Sequence, residues 1–205
     1  MDKQRIIQES LKLFMQYGIR SVSMDDVSRK LGISKKTLYN HIDSKKELVG
    51  LSVQCQQHEE CQMMEKIMTE TSDALEATVK IGRYIINLVA NLKPGTIYDM
   101  QKYYPQIHDS WEAKHSDHIR ENLIKNLKLG IEQGCYRPEI DIEVIARLYV
   151  GKVKLIMNER VFPSNQFNHA HVVRENFIYH LHGILTPKGL ERMYKEDLIT
   201  KKLEA

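Results

Sequence analysis

Apolar residues recur three and four positions apart along nearly the whole chain, and no stretch sustains a period-two alternation. That pattern predicts helices almost throughout. The first spans about Asp2 to Tyr17: Ile7, Leu11 and Phe14 form a stripe that Ile6, Leu13 and Tyr17 widen. Gly18 follows where a left-handed cap usually ends a helix. Ser23 then opens a short helix with Met24, Val27 and Leu31 inward, Asp26 stands at the capping-box position, and Gly32 closes it. Ser34 caps a helix from Lys35 to about Ile42, whose inward pair is Leu38 and Ile42. Ser44-Lys45-Lys46-Glu47 reads as a full capping box for a fourth, longer helix. Three capped helix starts thus fall close together, two of them joined by the tight Leu31-Gly32-Ile33-Ser34 turn. This is the layout of a helix-turn-helix, in which the second helix presents its outer face.

Further helices are predicted near 45–70, 73–92, 96–104, 106–133, 141–160, 168–185 and 187–196. Lys93-Pro94-Gly95, Gly134 to Pro138, Pro163-Ser164-Asn165 and Thr186-Pro187 mark the breaks. The fold class is therefore all-α. A three-helix head over residues 1–48 precedes a larger helical body over residues 49–205, with the boundary carried by the fourth helix rather than by a flexible linker.

Composition narrows the class. With 205 residues, 42% hydrophobic and 28% charged, and only 10 Gly and 5 Pro, the chain has the makings of a packed globular protein. Three cysteines supply no disulfide framework. Asp2, Lys3, Arg5 and Glu9 interrupt any apolar leader, and the longest apolar stretch, near Tyr84 to Leu92, contains Asn87 and Asn91 and falls far short of a membrane span. The expectation is a cytoplasmic protein with no membrane partner.

The net charge of +3 is unevenly placed. Residues 1–50 hold seven Lys and three Arg against four Asp and two Glu, while the remainder is almost neutral. Arg29, Lys30, Lys35, Lys36, Lys45 and Lys46 crowd into Ser28 to Lys46 with Asp43 as the one acid. Such a head is the footprint of a polyanion binder. With Leu38 and Ile42 inward, Lys35, Lys36, Thr37, Tyr39 and Asn40 lie outward or at the rim. These groups suit phosphates and base edges: Lys donates to guanine, Asn pairs with adenine, and the Thr methyl touches thymine. The capped starts at Ser23, Ser34 and Ser44 add backbone N–H groups for phosphate.

The residues from Ile6 through Leu13-Phe14, Gly18, Ser23-Met24-Asp25-Asp26-Val27, Leu31 to Ile42 and Ser44 to Leu48 resemble the DNA-binding domain of the TetR family of transcriptional regulators. Ser28 stands where a small Ala is typical and Ile42 where Phe is typical. The resemblance implies a homodimer on a palindromic operator, with a C-terminal helical domain that binds an inducer and dimerises. It implies that Lys35, Lys36, Thr37 and Asn40 face the major groove, that Tyr39, His41 and Lys45 contact or approach phosphates, and that Ser23 caps a helix against the backbone. The last two long helices would form the dimer pair, with Ala146 and Gly151 permitting close approach and Leu148, Val153, Ile156, Phe177, Ile178, Leu181 and Ile184 supplying apolar surface.

An inducer pocket in such a body would be apolar. The candidate lining residues are Met63, Met64, Ile67, Tyr84, Leu88, Met100, Tyr103, Tyr104, Ile107 and Trp111, with ordinary core packing as the competing account. Cys55, His58 and Cys61 are the tightest group of metal-ligand residue types, but helical spacing turns Cys61 away from the other two, so no metal is expected. No phosphate-binding loop, nucleophile elbow or dinucleotide fingerprint is present, and no cofactor or enzymatic activity is expected. The chain reads as a ligand-responsive DNA-binding transcriptional regulator, a repressor released from its operator by an unidentified small molecule. Alternatives are an activator, a ligand-independent DNA-binding regulator, or a protein-interaction module without DNA binding.

Overall fold

A computed structural model describes residues 2–195; residues 196–205 of the expected body, including the end of the helix predicted near 187–196, lie outside the described residues. The elements are α1 (Lys3–Tyr17), α2 (Met24–Leu31), α3 (Lys35–Tyr39), α4 (Lys45–Glu70), α5 (Ala74–Ala90), α6 (Thr96–Tyr103), α7 (Pro105–Glu132), α8 (Ile142–Ile156), α9 (His169–Ile184) and α10 (Pro187–Lys195). Among the described residues the sole β pairing is an isolated bridge between Tyr136 and Leu185, and no helix is long and apolar enough to cross a membrane.

By compactness the chain forms two units. The first combines the residues up to Cys61 with Asn91–His115; the second combines Gln62–Ala90 with the described residues from Ser116 onward. The first unit is centred on Ile6, Phe14, Val22, Val27, Leu31, Leu38, Ile42, Leu48 and Val49. Segment 91–115 joins this core: Met100 is buried in it, and Ile97, Tyr104, Ile107 and Trp111 pack against it. The Lys93 N–H donates to the Met15 carbonyl at 2.8 Å, which ties the approach to α6 to the end of α1.

The second unit is centred on Leu75, Val79, Leu127, Tyr136, Phe177, Leu181, Ile184 and Met193. The Tyr136 hydroxyl lies 2.8 Å from Thr78 Oγ1, 3.0 Å from Asn126 Oδ1 and 3.1 Å from the Ala74 carbonyl, so the polar groups within this core answer one another. Burial pushes the Tyr136 phenol well above its ordinary range. Phe177, Leu181 and Ile184, expected at a dimer interface, are therefore core of their own chain, and Ala146 and Ile156 are buried as well.

Helix α5 meets α9 through Gly82, where an added Cβ would stand 2.5–2.8 Å from three ring carbons of Phe177. Alanine raises helix propensity by up to about 1 kcal/mol over glycine, yet overpacking costs about 1–3 kcal/mol. The Gly82→Ala variant is expected to be destabilised by about 1–2 kcal/mol in denaturant titration; a stabilised variant would show that the Phe177 ring yields freely.

Candidate nucleic-acid interface

The head is assembled from local signals. The Ser23 hydroxyl accepts from the Asp26 N–H at 3.2 Å, and the Asp26 carboxylate accepts from the Ser23 N–H at 2.9 Å, completing the expected capping box. The Ser23 hydroxyl and N–H hold the Asp26 carboxyl below its ordinary range. Gly32 closes α2 in the left-handed region at φ 66°, a conformation that disfavours side chains with a Cβ. Ser34 caps α3, accepting from the Thr37 N–H at 3.0 Å, and its hydroxyl lies 2.8 Å from that of Thr37.

α3 is shorter than its pattern suggests. The Asn40 and His41 N–H groups bond to Lys36 and Leu38 carbonyls, and the chain leaves the helix as a turn after Tyr39. Leu38 and Ile42 are nevertheless both fully buried, as their spacing predicts. Lys35, Lys36, Tyr39 and Asn40 are exposed, Thr37 and His41 half-buried, and Ser23 and Ser34 are exposed at the two helix starts. One surface of a short capped helix thus collects two ammonium groups, a phenol and an amide.

Two cations are not free ends. Lys35 Nζ lies 2.7 Å from Asp25 Oδ1 and is pushed above its ordinary range by that hydrogen bond. The pair links α3 to α2, and a phosphate would compete with Asp25 for the ammonium. Lys45 is half-buried, with Nζ 3.4 Å from the Arg20 carbonyl. Burial lowers its pKa, which the nearby Asp26 and Asp99 partly oppose.

The fourth helix departs from the expected full box. The Glu47 N–H donates to Ser44 Oγ at 3.1 Å, but the Glu47 carboxylate accepts from the Asp43 N–H at 2.6 Å, one residue early, and from Lys3 Nζ at 3.0 Å. Together with the Lys46–Gln106 hydrogen bond at 2.9 Å, these contacts tie α4 to α1 and to the start of α7. Arg20 escaped the sequence reading because it stands in the α1–α2 loop, outside the basic run.

The ten candidate ligand residues divide between the two units. Met100, Tyr104, Ile107 and Trp111 belong to the packing of the first unit, where Tyr103 is exposed. Met63, Met64, Ile67, Tyr84 and Leu88 belong to the second, where Met64 is buried and Met63 exposed. Sequence periodicity missed a polar group in the first unit. Glu60 is only 5% exposed, its Oε2 has no hydrogen-bond partner, and that atom lies 3.5 Å from His115 Nδ1. The His115 ring stacks on Trp111 with centroids 5.0 Å apart, and burial raises the Glu60 carboxyl. Among the described residues no three His, Cys, Asp or Glu side chains form a group that could hold a metal ion.

Residues 6–50 match the family model of bacterial regulatory proteins, tetR family. The head is similar to the DNA-binding domain of that family. It is 27% identical over 180 residues, 84% of this chain and 90% of the other, to the uncharacterized HTH-type transcriptional regulator YvaF of Bacillus subtilis. Over 53 residues, 26% of this chain and 28% of the other, it is 38% identical to IcaR of Staphylococcus aureus, the negative transcriptional regulator of the biofilm operon icaADBC. A transcriptional regulator from Saccharomonospora viridis in complex with choline shares the fold, with TM-score 0.68, 17% identity, and coverage of 90% of this chain and 97% of the other. Each of these relatives is named as a transcriptional regulator.

Proposed function

We propose that this chain is a tetR-family transcriptional regulator, a repressor that binds a palindromic operator as a homodimer and is released by a small molecule, with residues 1–48 reading DNA and residues 49–205 dimerising and sensing the ligand. The carrying observation is the surface of α3, where Lys36, Tyr39 and Asn40 are exposed at a helix held by Leu38 in the head's core. Inserted in the major groove, Lys35, Lys36, Thr37 and Asn40 meet base edges, while Ser23, Ser34, Tyr39, His41 and Lys45 meet the backbone. Repression is supported by the likeness of a 53-residue stretch to IcaR, a negative regulator. Ligand release is supported by the choline-bound structural neighbour. The inferred location is the cytoplasm, where the operator is.

Selection of bound duplexes from a random pool tests this reading. It is expected to return an inverted repeat whose half-sites are centred about one helical turn, or a multiple of it, apart. Recovery of no enriched sequence, or of an unrepeated site, would overturn it. On the selected duplex, Asn40→Ala is expected to cost about 1–3 kcal/mol and to relax preference at one base position per half-site. Lys45→Ala is expected to weaken all duplexes alike. Equal losses across sequences for Asn40→Ala would remove that residue from base readout.

A further inference from the structure

We propose that the DNA interface extends beyond the helix-turn-helix onto a second backbone-binding surface, built from Arg20 in the α1–α2 loop and from Tyr98, Lys102 and Tyr103 on α6, which grips the phosphates flanking each half-site. The inference rests on the reading that the protein binds duplex DNA through α3.

The surface begins with how α6 is held. Thr96 is buried and its hydroxyl donates to the Lys93 carbonyl at 2.7 Å, while the Lys93 N–H is bonded to α1. Ile97 and Met100 face the head's core. At helical spacing this leaves Tyr98 and Lys102, four apart, on the outer side, and Tyr103 beside them is exposed. Segment 91–115 is part of the same compact unit as α1 to the start of α4, so α6 is a fixed part of the head.

The charges converge on one ring. The Arg20 guanidinium carbon lies 5.6 Å from the Tyr103 ring centroid, and Lys102 Nζ lies 5.4 Å from the same centroid and 5.7 Å from that of Tyr98. Two cations sharing one ring repel each other, and each exposed cation–π contact returns only about 0.5–1 kcal/mol. The rings orient the two side chains without consuming their donors, so the arrangement is completed by an anion between or beside them. Phosphate fits best: Arg and Lys donate to it with charge assistance, and phenol hydroxyls add neutral donors.

The position selects duplex DNA as the source of that phosphate. The Arg20 carbonyl accepts from Lys45 Nζ at 3.4 Å, so the surface is continuous with the first turn of α4, which the proposed reading already places against the backbone. Asp26 and Asp99, both half-buried in the first turns of α2 and α6, are the carboxylates that act on Lys45. Arg20, Lys45 and Lys102 outnumber these two. An acidic protein surface would find the same charges, but not the continuity with the DNA-reading helix.

The test compares the full-length wild type with Arg20→Ala/Lys102→Ala on a mixed-sequence duplex of about 30 bp, across a salt series, with circular dichroism as the check on folding. Each phosphate contact contributes about −0.9 to the slope of log K against log salt. With two cations per protomer and two protomers, the variant's slope is expected to be shallower by about two to four units, equally for different sequences. On a duplex trimmed to the recognised repeat, wild type and variant are expected to converge. An unchanged slope in a folded variant, while the wild type binds, overturns this inference and leaves α3 binding intact. A wild type that binds no duplex overturns both. A loss confined to an acidic protein partner, with DNA slopes unchanged, assigns the surface to protein instead. Should the double variant fail to fold, Lys102→Gln alone is expected to lower the slope by about one to two units.

Discussion

Glutamate at both Leu148 and Leu155 is expected to turn the proposed dimer into monomers and to weaken operator binding at least about a hundredfold. Both residues lie on α8, where Val144, Leu148 and Leu155 are 50%, 55% and 48% exposed. Their spacing, with Gly151 between, places them along one face of the helix. An added Cβ at Gly151 meets nothing within 4 Å, so that face stands open in the single chain. A row of apolar side chains left uncovered along a folded helix is a docking surface, and an isologous pairing of two copies buries it against itself. Joining two heads makes the second half-site encounter intramolecular, an avidity gain of about 10² to 10⁴. Glutamate removes it by setting like charges against each other across the pairing axis. The substituted side chains are exposed, so helicity should survive. Light scattering checks mass, and operator titration checks affinity. A variant that stays dimeric at micromolar concentration would move the interface elsewhere.

The same residues show how far the sequence is legible. Periodicity correctly turns Phe177, Leu181 and Ile184 inward, but it does not say whether the covering surface belongs to the same chain. They pack on Leu75 and Val79 of their own chain, while Leu148 and Gly151 remain open. Met100, Tyr104, Ile107 and Trp111 raise a like ambiguity: an inward stripe fits a solid core as well as a cavity, and these four pack with the head's core. What was legible is local. The caps at Ser23 and Ser34, the Gly32 turn and the Leu38–Ile42 pair depend on neighbours within a few residues, and the structure holds them. The Glu47 box failed because its carboxylate is shared with Lys3, a partner distant in sequence. Arg20 over Tyr103 and the buried Glu60 carboxylate beside His115 are likewise products of tertiary approach, and no one-dimensional pattern announces them.

Acid is expected to destabilise the fold well before the carboxylates titrate, by roughly 2 kcal/mol between pH 7 and pH 5, with His180 responsible. His180 on α9 is buried against Tyr149 of α8, with ring centroids 4.6 Å apart, and its Nε2 has no hydrogen-bond partner. Burial, together with the positive charge of Lys152, pushes its pKa down to about 4 from an ordinary 6.5. The folded value is depressed, so between 6.5 and 4 the unfolded chain binds more protons than the folded one. The contribution is therefore complete above about pH 6.5 and is lost as pH falls toward 4, by roughly 3 kcal/mol in all. Carboxylates held low by hydrogen bonds, such as Asp26 and Glu47, lose their contributions only at lower pH, while the raised Glu60 carboxyl acts in the opposite sense and is common to wild type and variant. His180→Leu keeps the apolar contact with Tyr149 and cannot take a proton. Its unfolding free energy in denaturant is expected to be nearly flat between pH 7 and pH 5 once the remaining histidines and Glu60, common to both proteins, are subtracted. Parallel losses in wild type and variant would show that His180 accepts its proton in the folded state without cost, and that the space between α8 and α9 admits water.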